Sequence, residues 1–291
     1  MAQLAQSLYS GLLVAAAYAL VALGLSLVFG TVRIINMAHG ELILLAAYLA
    51  SECEERFGLP PLLSAPIGIA VIAGLSLAIY ALVDRIRKDR EINSLLLTYA
   101  VGVVLSNGIL MIWRGDVRST GDAWLTAPLI FGDSLFSMRS EVLFCLLGAL
   151  LTAAVAAWLG RSWAGLALRA VSANREAARL MGVAPRRVEA ASFLLAGGLA
   201  AVAGVALYTT RSITPFIGHE LTVKAFVIVV LAGIGSVGGI VIGALLIGFA
   251  ETLTVAFLSP SLQPLVAMLV FLGVLLLRPT GLFGARREVA R

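Results

Sequence analysis

Asn36, His39 and Glu41 stand within six residues of one another in the run Arg33–Glu41 (RIINMAHGE), wedged between two long apolar segments. An amide, an imidazole and a carboxylate so placed suit one of two tasks. They cap a break in a helix, with Asn36 as the N-cap, or they line a passage for a polar solute, since polar side chains at membrane depth face a bundle interior or a cavity. Other chemistry is excluded by spacing. The only histidines, His39 and His219, form no H-E-x-x-H pair, and Ser10 and Ser236 lack a G-x-S-x-G context. The two lysines, Lys88 and Lys224, follow an arginine and a valine, so neither ends a phosphate-cradling glycine loop. Cys53 and Cys145 fit no metal or redox spacing and are no credible disulfide pair.

A second polar group is the stretch Arg161–Arg187, which holds Arg161, Arg169, Arg175, Arg179, Arg186 and Arg187. One arginine at a bilayer centre costs roughly 2.5–3.5 kcal/mol, so six together lie outside the lipid. The stretch nonetheless has helix grammar. Asn174 is a good N-cap, Glu176 falls in the first turn, Ala177, Ala178, Leu180 and Met181 favour helix, Gly182 suits the C′ position and Pro185 can open the next helix. This predicts a short, capped, basic helix at the membrane surface, available to a docking protein or to anionic headgroups.

The third group is Gly233–Gly243 (GIGSVGGIVIG), where Gly235, Gly239 and Gly243 share one helix face and permit close helix approach. The adjacent Gly238 and Gly239 weaken a helix by roughly 1 kcal/mol each relative to Ala, so a break is expected near Gly233, Gly235 and Ser236. Transporters place broken helices in corresponding positions of two halves. Here each break precedes an apolar helix with an acid, Glu41 and Glu251, which hints at an internal duplication. Glu251 is expected to be buried against a partner on a neighbouring helix. Tyr99, Ser106 and Asn107 read as interhelical hydrogen-bonding groups, and His219 and Glu220 as an outer loop before a helix.

The elements that must position these groups are membrane helices. Of 291 residues 60% are hydrophobic and 13% charged, with a mean hydropathy of +1.02. Apolar runs fall at about Leu4–Phe29, Gly40–Ala50, Leu62–Val83, Ile92–Trp113, Val142–Leu159, Val188–Tyr208, Leu221–Leu231, Gly239–Leu258 and Leu265–Leu277. A straight span needs roughly 20 residues, so the second and seventh are too short and read as extended or half helices. The fold class is therefore all-α and polytopic, with eight or nine spans. Nine spans put Arg33, Arg85, Arg87, Lys88, Arg90, the six arginines of the second group, Arg278, Arg286, Arg287 and Arg291 on one face. Arg56, Arg114, Arg118, Arg139, Arg211 and Lys224 fall to the other face and its margins. The positive-inside rule makes the first face cytoplasmic and places the N-terminus outside. It also accounts for the pI near 9.6 without nucleic-acid binding. The outer segment Arg114–Ser140 has room for a hairpin or a surface helix.

Glu176-Ala177-Ala178 followed by Gly182 resembles the E-A-A-x3-G pattern of the cytoplasmic coupling loop in ABC importer permeases. N-M-A-H-G-E at Asn36–Glu41 after G-L-S-L-V-F-G at Gly24–Gly30 resembles the start of high-affinity branched-chain amino acid permeases, whose relatives include urea and amide permeases. Ala225–Gly239 and Arg278–Gly284 (RPTGLFG) resemble that family's glycine-rich segment and C-terminal end. The resemblance implies one membrane permease domain over 1–291 with a coupling loop at about 160–187. It implies a second homologous permease subunit, two ATPase subunits carrying ATP-Mg and a periplasmic solute-binding protein as partners, with no cofactor in this chain. Asn174, Arg175, Glu176, Ala177, Ala178, Arg179 and Gly182 would form the coupling element. Asn36, His39, Glu41, Gly233, Gly235, Ser236, Gly238 and Gly239 are the candidate path residues. A stand-alone secondary transporter or channel, coupled through Glu41 or Glu251, and an assembly subunit with no path remain alternatives. So do urea or a short amide as the solute.

Overall fold

The structure, a computed structural model, describes residues 2–132, 135–233, 235–278 and 280–283. Arg286, Arg287 and Arg291 lie outside them, as do Pro279 and Gly284 of the C-terminal motif. Each of the nine apolar runs forms a helix. They are α1 (Ala2–Val32), α2 (His39–Phe57), α3 (Pro61–Asp84), α4 (Arg90–Trp113), α6 (Arg139–Arg161), α9 (Pro185–Thr210), α10 (Ile217–Ala232), α11 (Val237–Phe257) and α12 (Gln263–Leu277). Among the described residues seven helices are long and apolar enough to cross a membrane, the last counted from Pro260. The two that fall short are α2 and α10, the pair marked as short by their runs. The protein is an all-α, multi-pass membrane protein.

Helix α1 is the axis. It packs against α11, α9, α6 and α10. Its middle is buried on every side, with Leu20, Ala22, Leu23 and Leu25 at most 1% exposed, as a helix apolar all round requires. Arg33, in the left-handed region at φ 57°, ends it. The chain then doubles back. The His39 Nε2 lies 3.0 Å from the Val21 carbonyl oxygen, so α2 starts beside the middle of α1 rather than at its end. Eleven residues of α1 rise about 16 Å, a distance that six extended residues can climb at roughly 3.3 Å each. This explains why α2 is short in apolar content yet runs on to Phe57. Its last turns, Ser51–Phe57, carry Glu52, Glu54 and Glu55, and Gly58 at φ 62° closes the helix.

Segment 114–138 contains both of the expected structures: the short helix α5 (Ala123–Thr126) and an antiparallel hairpin of β1 (Pro128–Phe131) and β2 (Leu135–Met138). The end of α2 ties this segment down. Glu54 accepts from Thr120 Oγ1 at 2.9 Å, Gly121 N at 3.0 Å and Tyr208 Oη at 2.5 Å, while Arg118 pairs with Glu55 at 2.8 Å.

Other sequence expectations change. His219 and Glu220 belong to the first turn of α10, not to a loop. Tyr99 is exposed and Asn107 bonds the carbonyl of Val103 on its own helix; the interhelical role on α4 falls to Thr98, which accepts from Met37 N and donates to Ile35 O. Lys224, assigned by charge to an outer margin, is buried inside the bundle.

Glycines decide how closely the short helices approach. A Cβ on Gly40 would overlap the Gly218 carbonyl, and Gly40 N donates to Thr222 Oγ1 at 2.8 Å. Gly40→Ala should therefore lower the thermal unfolding midpoint in detergent, by an overpacking cost of roughly 1–3 kcal/mol. Gly74→Ala on α3, where a Cβ would meet nothing within 4 Å, should leave the midpoint unchanged or raise it.

Candidate functional site

The arginine stretch folds as its residues predict. Helix α7 (Trp163–Ala173) leads into α8 (Arg175–Leu180), whose N-cap Asn174 accepts from Glu176 N and Ala177 N, each at 3.0 Å. Gly182 follows at φ 85° and Pro185 opens α9. Ala178 is the buried contact of α8, whereas Leu180 is 88% and Met181 83% exposed, with Arg179 and Glu176 also exposed.

What holds α8 in place is a residue that sequence reasoning missed. Glu189, fully buried on α9, accepts from Arg175 Nε at 2.6 Å, from an Arg90 guanidinium nitrogen at 3.1 Å and from Tyr80 Oη at 3.2 Å. Tyr80 Oη also lies 3.0 Å from the Arg186 carbonyl oxygen. One carboxylate thus joins α8 to α3, α4 and α9. Its hydrogen bond raises the Arg175 pKa above the ordinary arginine value, so the guanidinium stays charged. Arg175 is thus bound to Glu189 while its side chain stays 46% exposed, and α8 presents Arg179 as a further cation. The available signal was an acid alone among basic residues, in a register fixed only by folding.

Two cavities follow α1. One, of about 420 Å³, is lined by Gln6, Leu13 and Leu20 of α1 together with residues of α6, α9 and α11 on the hairpin side. The other, of about 240 Å³, is lined by Leu23, Leu27 and Gly30 of α1 together with Gly160, Arg169 and Gly235 on the arginine side. These α1 residues recur every three, four or seven positions, the spacing of one helix face. Between Val21, which lines the first cavity, and Leu27, which lines the second, α1 is crossed by His39 of α2. The His39 ring packs so closely on Gly24 that a Cβ there would lie 2.8 Å from Cε1.

The candidate path residues occupy two places rather than one. Asn36, His39 and Glu41 are buried where α2 meets the start of α10. Asn36 is not the N-cap of α2; that position is Ala38, whose N–H donates to Asn36 Oδ1 at 3.2 Å, so the amide closes the turn one step earlier. Glu41 lies against Gly218 in the first turn of α10, where the helix dipole favours a carboxylate. Its Oε2 has no hydrogen-bond partner among the described residues. Gly233, Gly235, Ser236, Gly238 and Gly239 surround the other end of α10, roughly 22 Å away along its axis. There Gly233 and Gly235 adopt φ 84° and 82°, Ser236 caps α11 through Gly239 N at 3.0 Å, and Leu282 N and Phe283 N donate to Leu231 and Ala232.

Glu251 has the partner expected of it, and more. Tyr18 Oη donates to it at 2.6 Å, Gln263 Nε2 at 2.8 Å, and Lys224 Nζ stands 3.2 Å away. Lys224 also pairs with Glu220 at 3.0 Å. The network staples α1, α10, α11 and α12 deep in the bundle. Both cysteines are free, Cys53 buried and Cys145 partly so. Among the described residues no three His, Cys, Asp or Glu side chains gather to hold a metal ion.

Buried breaks in two membrane helices, cavities from both sides of one axial helix and a rigid basic surface helix define a class: membrane proteins built for solute passage. The particular family follows from comparison. The chain belongs to the family described as branched-chain amino acid transport system / permease component, whose model matches residues 7–277. It is 32% identical to the high-affinity branched-chain amino acid transport system permease protein LivH of Escherichia coli K12, over 98% of this chain and 97% of that one. The corresponding protein BraD of Pseudomonas aeruginosa is 29% identical over the same shares. The fructose import permease protein FrcC of Rhizobium meliloti is 26% identical over 74% of this chain and 61% of its own. No solved structure matches.

Glu189→Ala removes the shared acceptor of Arg175, Arg90 and Tyr80, a loss of about 1–3 kcal/mol for partners left unsatisfied. Hydrogen exchange should accelerate over 174–183, while amides at 120–131 keep their protection; unchanged exchange at α8 would refute the anchoring role.

Proposed function

We propose that this chain is the membrane-spanning permease subunit of a binding-protein-dependent ABC importer, carrying branched-chain amino acids inward while separate subunits hydrolyse ATP. The observation that supports it most is α8: capped, pinned from within by Glu189, and presenting Leu180, Met181 and Arg179 outward. A helix lying on headgroups needs no internal anchor, whereas one that transmits force does. The arginine face is cytoplasmic in this reading and the hairpin face periplasmic, with the N-terminus on the hairpin side. All of 1–291 serves as one permease domain. A second homologous permease, two ATPases and a periplasmic binding protein complete the assembly.

The path follows α1 from the hairpin-side cavity to the arginine-side cavity, with His39 as the closure between them. Asn36 and Glu41 hold that closure in register. Gly233, Gly235, Ser236, Gly238 and Gly239 form the joint at the cytoplasmic end, where Gly235 lines the inner cavity. The branched-chain relatives align over nearly their full length, and this supports an amino acid over the sugar of the more partial match or over urea.

Arg179→Glu should reduce uptake of radiolabelled leucine by the assembled transporter tenfold or more while ATP hydrolysis continues and membrane insertion is unchanged. Unaltered uptake in this variant argues against α8 as the coupling element. The chain alone in liposomes should carry no leucine; transport without ATPase partners would favour a secondary transporter.

A further inference from the structure

Two charged residues of the hairpin-side cavity are left without ionic partners. Arg211, the C-cap of α9, and Glu141, in the first turn of α6, both line it. Among the described residues neither makes an ion pair, with the other or with any third group. Arg211 makes no side-chain hydrogen bond either, and Glu141 accepts only from Met138 N at 2.9 Å. On the same face Arg118 pairs with Glu52 and Glu55, and Arg56 with Glu52, none of which lines this cavity. The rest of the lining mixes aliphatic side chains, Leu13, Val14 and Leu207 among them, with the polar groups of Ser10, Tyr18 and Gln263. The volume of about 420 Å³ falls within the roughly 300–1,000 Å³ of small-molecule sites.

We propose that this cavity is a solute-binding subsite formed within one protomer, taking a zwitterionic amino acid with an aliphatic side chain. Arg211 receives the carboxylate, as a guanidinium fork matches carboxylate geometry. Glu141 receives the ammonium, and the groove between α1 and α9 takes the side chain. The opposite charges of such a ligand complement a cavity that holds one of each sign, a match that a neutral sugar or urea does not offer. This assignment rests on the amino acid reading above and adds where the solute pauses and which residues select it.

Cys145 lines the same cavity and Cys53 is buried elsewhere, so the native protein carries its own probe. In the assembled transporter in nanodiscs, a charged, water-soluble maleimide should modify Cys145, and L-leucine should slow that modification at least fivefold. Isocaproate, which lacks the ammonium, and isoamylamine, which lacks the carboxylate, should each protect far less at the same concentration. Arg211→Gln and Glu141→Gln should each weaken leucine protection about tenfold without slowing labelling in its absence; the glutamine keeps an acceptor for Met138 N. Equilibrium binding of radiolabelled leucine to the same variants, read by scintillation proximity, decides the matter should Cys145 resist every reagent.

The subsite is overturned by leucine uptake without protection and without a binding loss in either variant. It is overturned equally by labelling with lipid-soluble N-ethylmaleimide alone, which marks a cavity filled by acyl chains. Protection without uptake would keep the subsite and remove the importer reading.

Discussion

Backbone polar groups at membrane depth have no water to turn to, and this structure is organised around satisfying them where its helices break. The segment between α1 and α2 climbs back into the bundle, and side chains of other helices meet several of its amides and carbonyls. Thr98 serves Met37 and Ile35, Thr222 serves Gly40 and Met37, and His39 reaches the Val21 carbonyl. These bonds need backbones in near contact, which explains why Gly40, Gly204 and Gly24 stand where a Cβ would strike a neighbour. Small residues at the crossings and polar side chains as links are two halves of one solution.

Charge is treated by the same logic. Two interior carboxylates are matched, Glu251 by Lys224, Tyr18 and Gln263 and Glu189 by Arg175, Arg90 and Tyr80, whereas Glu41 makes no ion pair among the described residues. Removing one partner of such a group costs far more than the group contributes as a whole, so each behaves as a unit. The two units sit on different levels. The first binds the helices that flank the hairpin-side cavity, and the second binds the surface helix to the ends of three spans. A push on α8 is therefore delivered to α3, α4 and α9 together rather than absorbed in a loose loop. Around this frame α4, α6 and α12 turn apolar faces outward, with Val104 71%, Leu146 65% and Leu277 85% exposed, as lipid or a neighbouring subunit requires.

Local rules carried the two ends of the surface helix. Asn174, Gly182 and Pro185 act through their own backbone neighbourhood, and so their roles were readable from adjacent residues alone. The same holds for the nine apolar runs and for the two that were too short. Residue-level roles at a distance were not readable. Asn36 looked like a cap and closes a turn instead, Arg175 has a buried partner in Glu189, and Lys224 looked peripheral and is buried. For Arg175 and Lys224 the deciding partner lies on another helix.

The amino-acid sequence by itself determined the all-α membrane class, the position of the basic helix and the family, because hydropathy, capping and motif order depend on short stretches of chain. Tertiary structure alone decided that the two breaks lie at opposite ends of α10, that Glu189 anchors α8, and that Arg211 and Glu141 share a cavity. Arg211 and Glu141 are 70 positions apart in the chain. Helix periodicity specifies which face a residue occupies, but only packing specifies what that face meets.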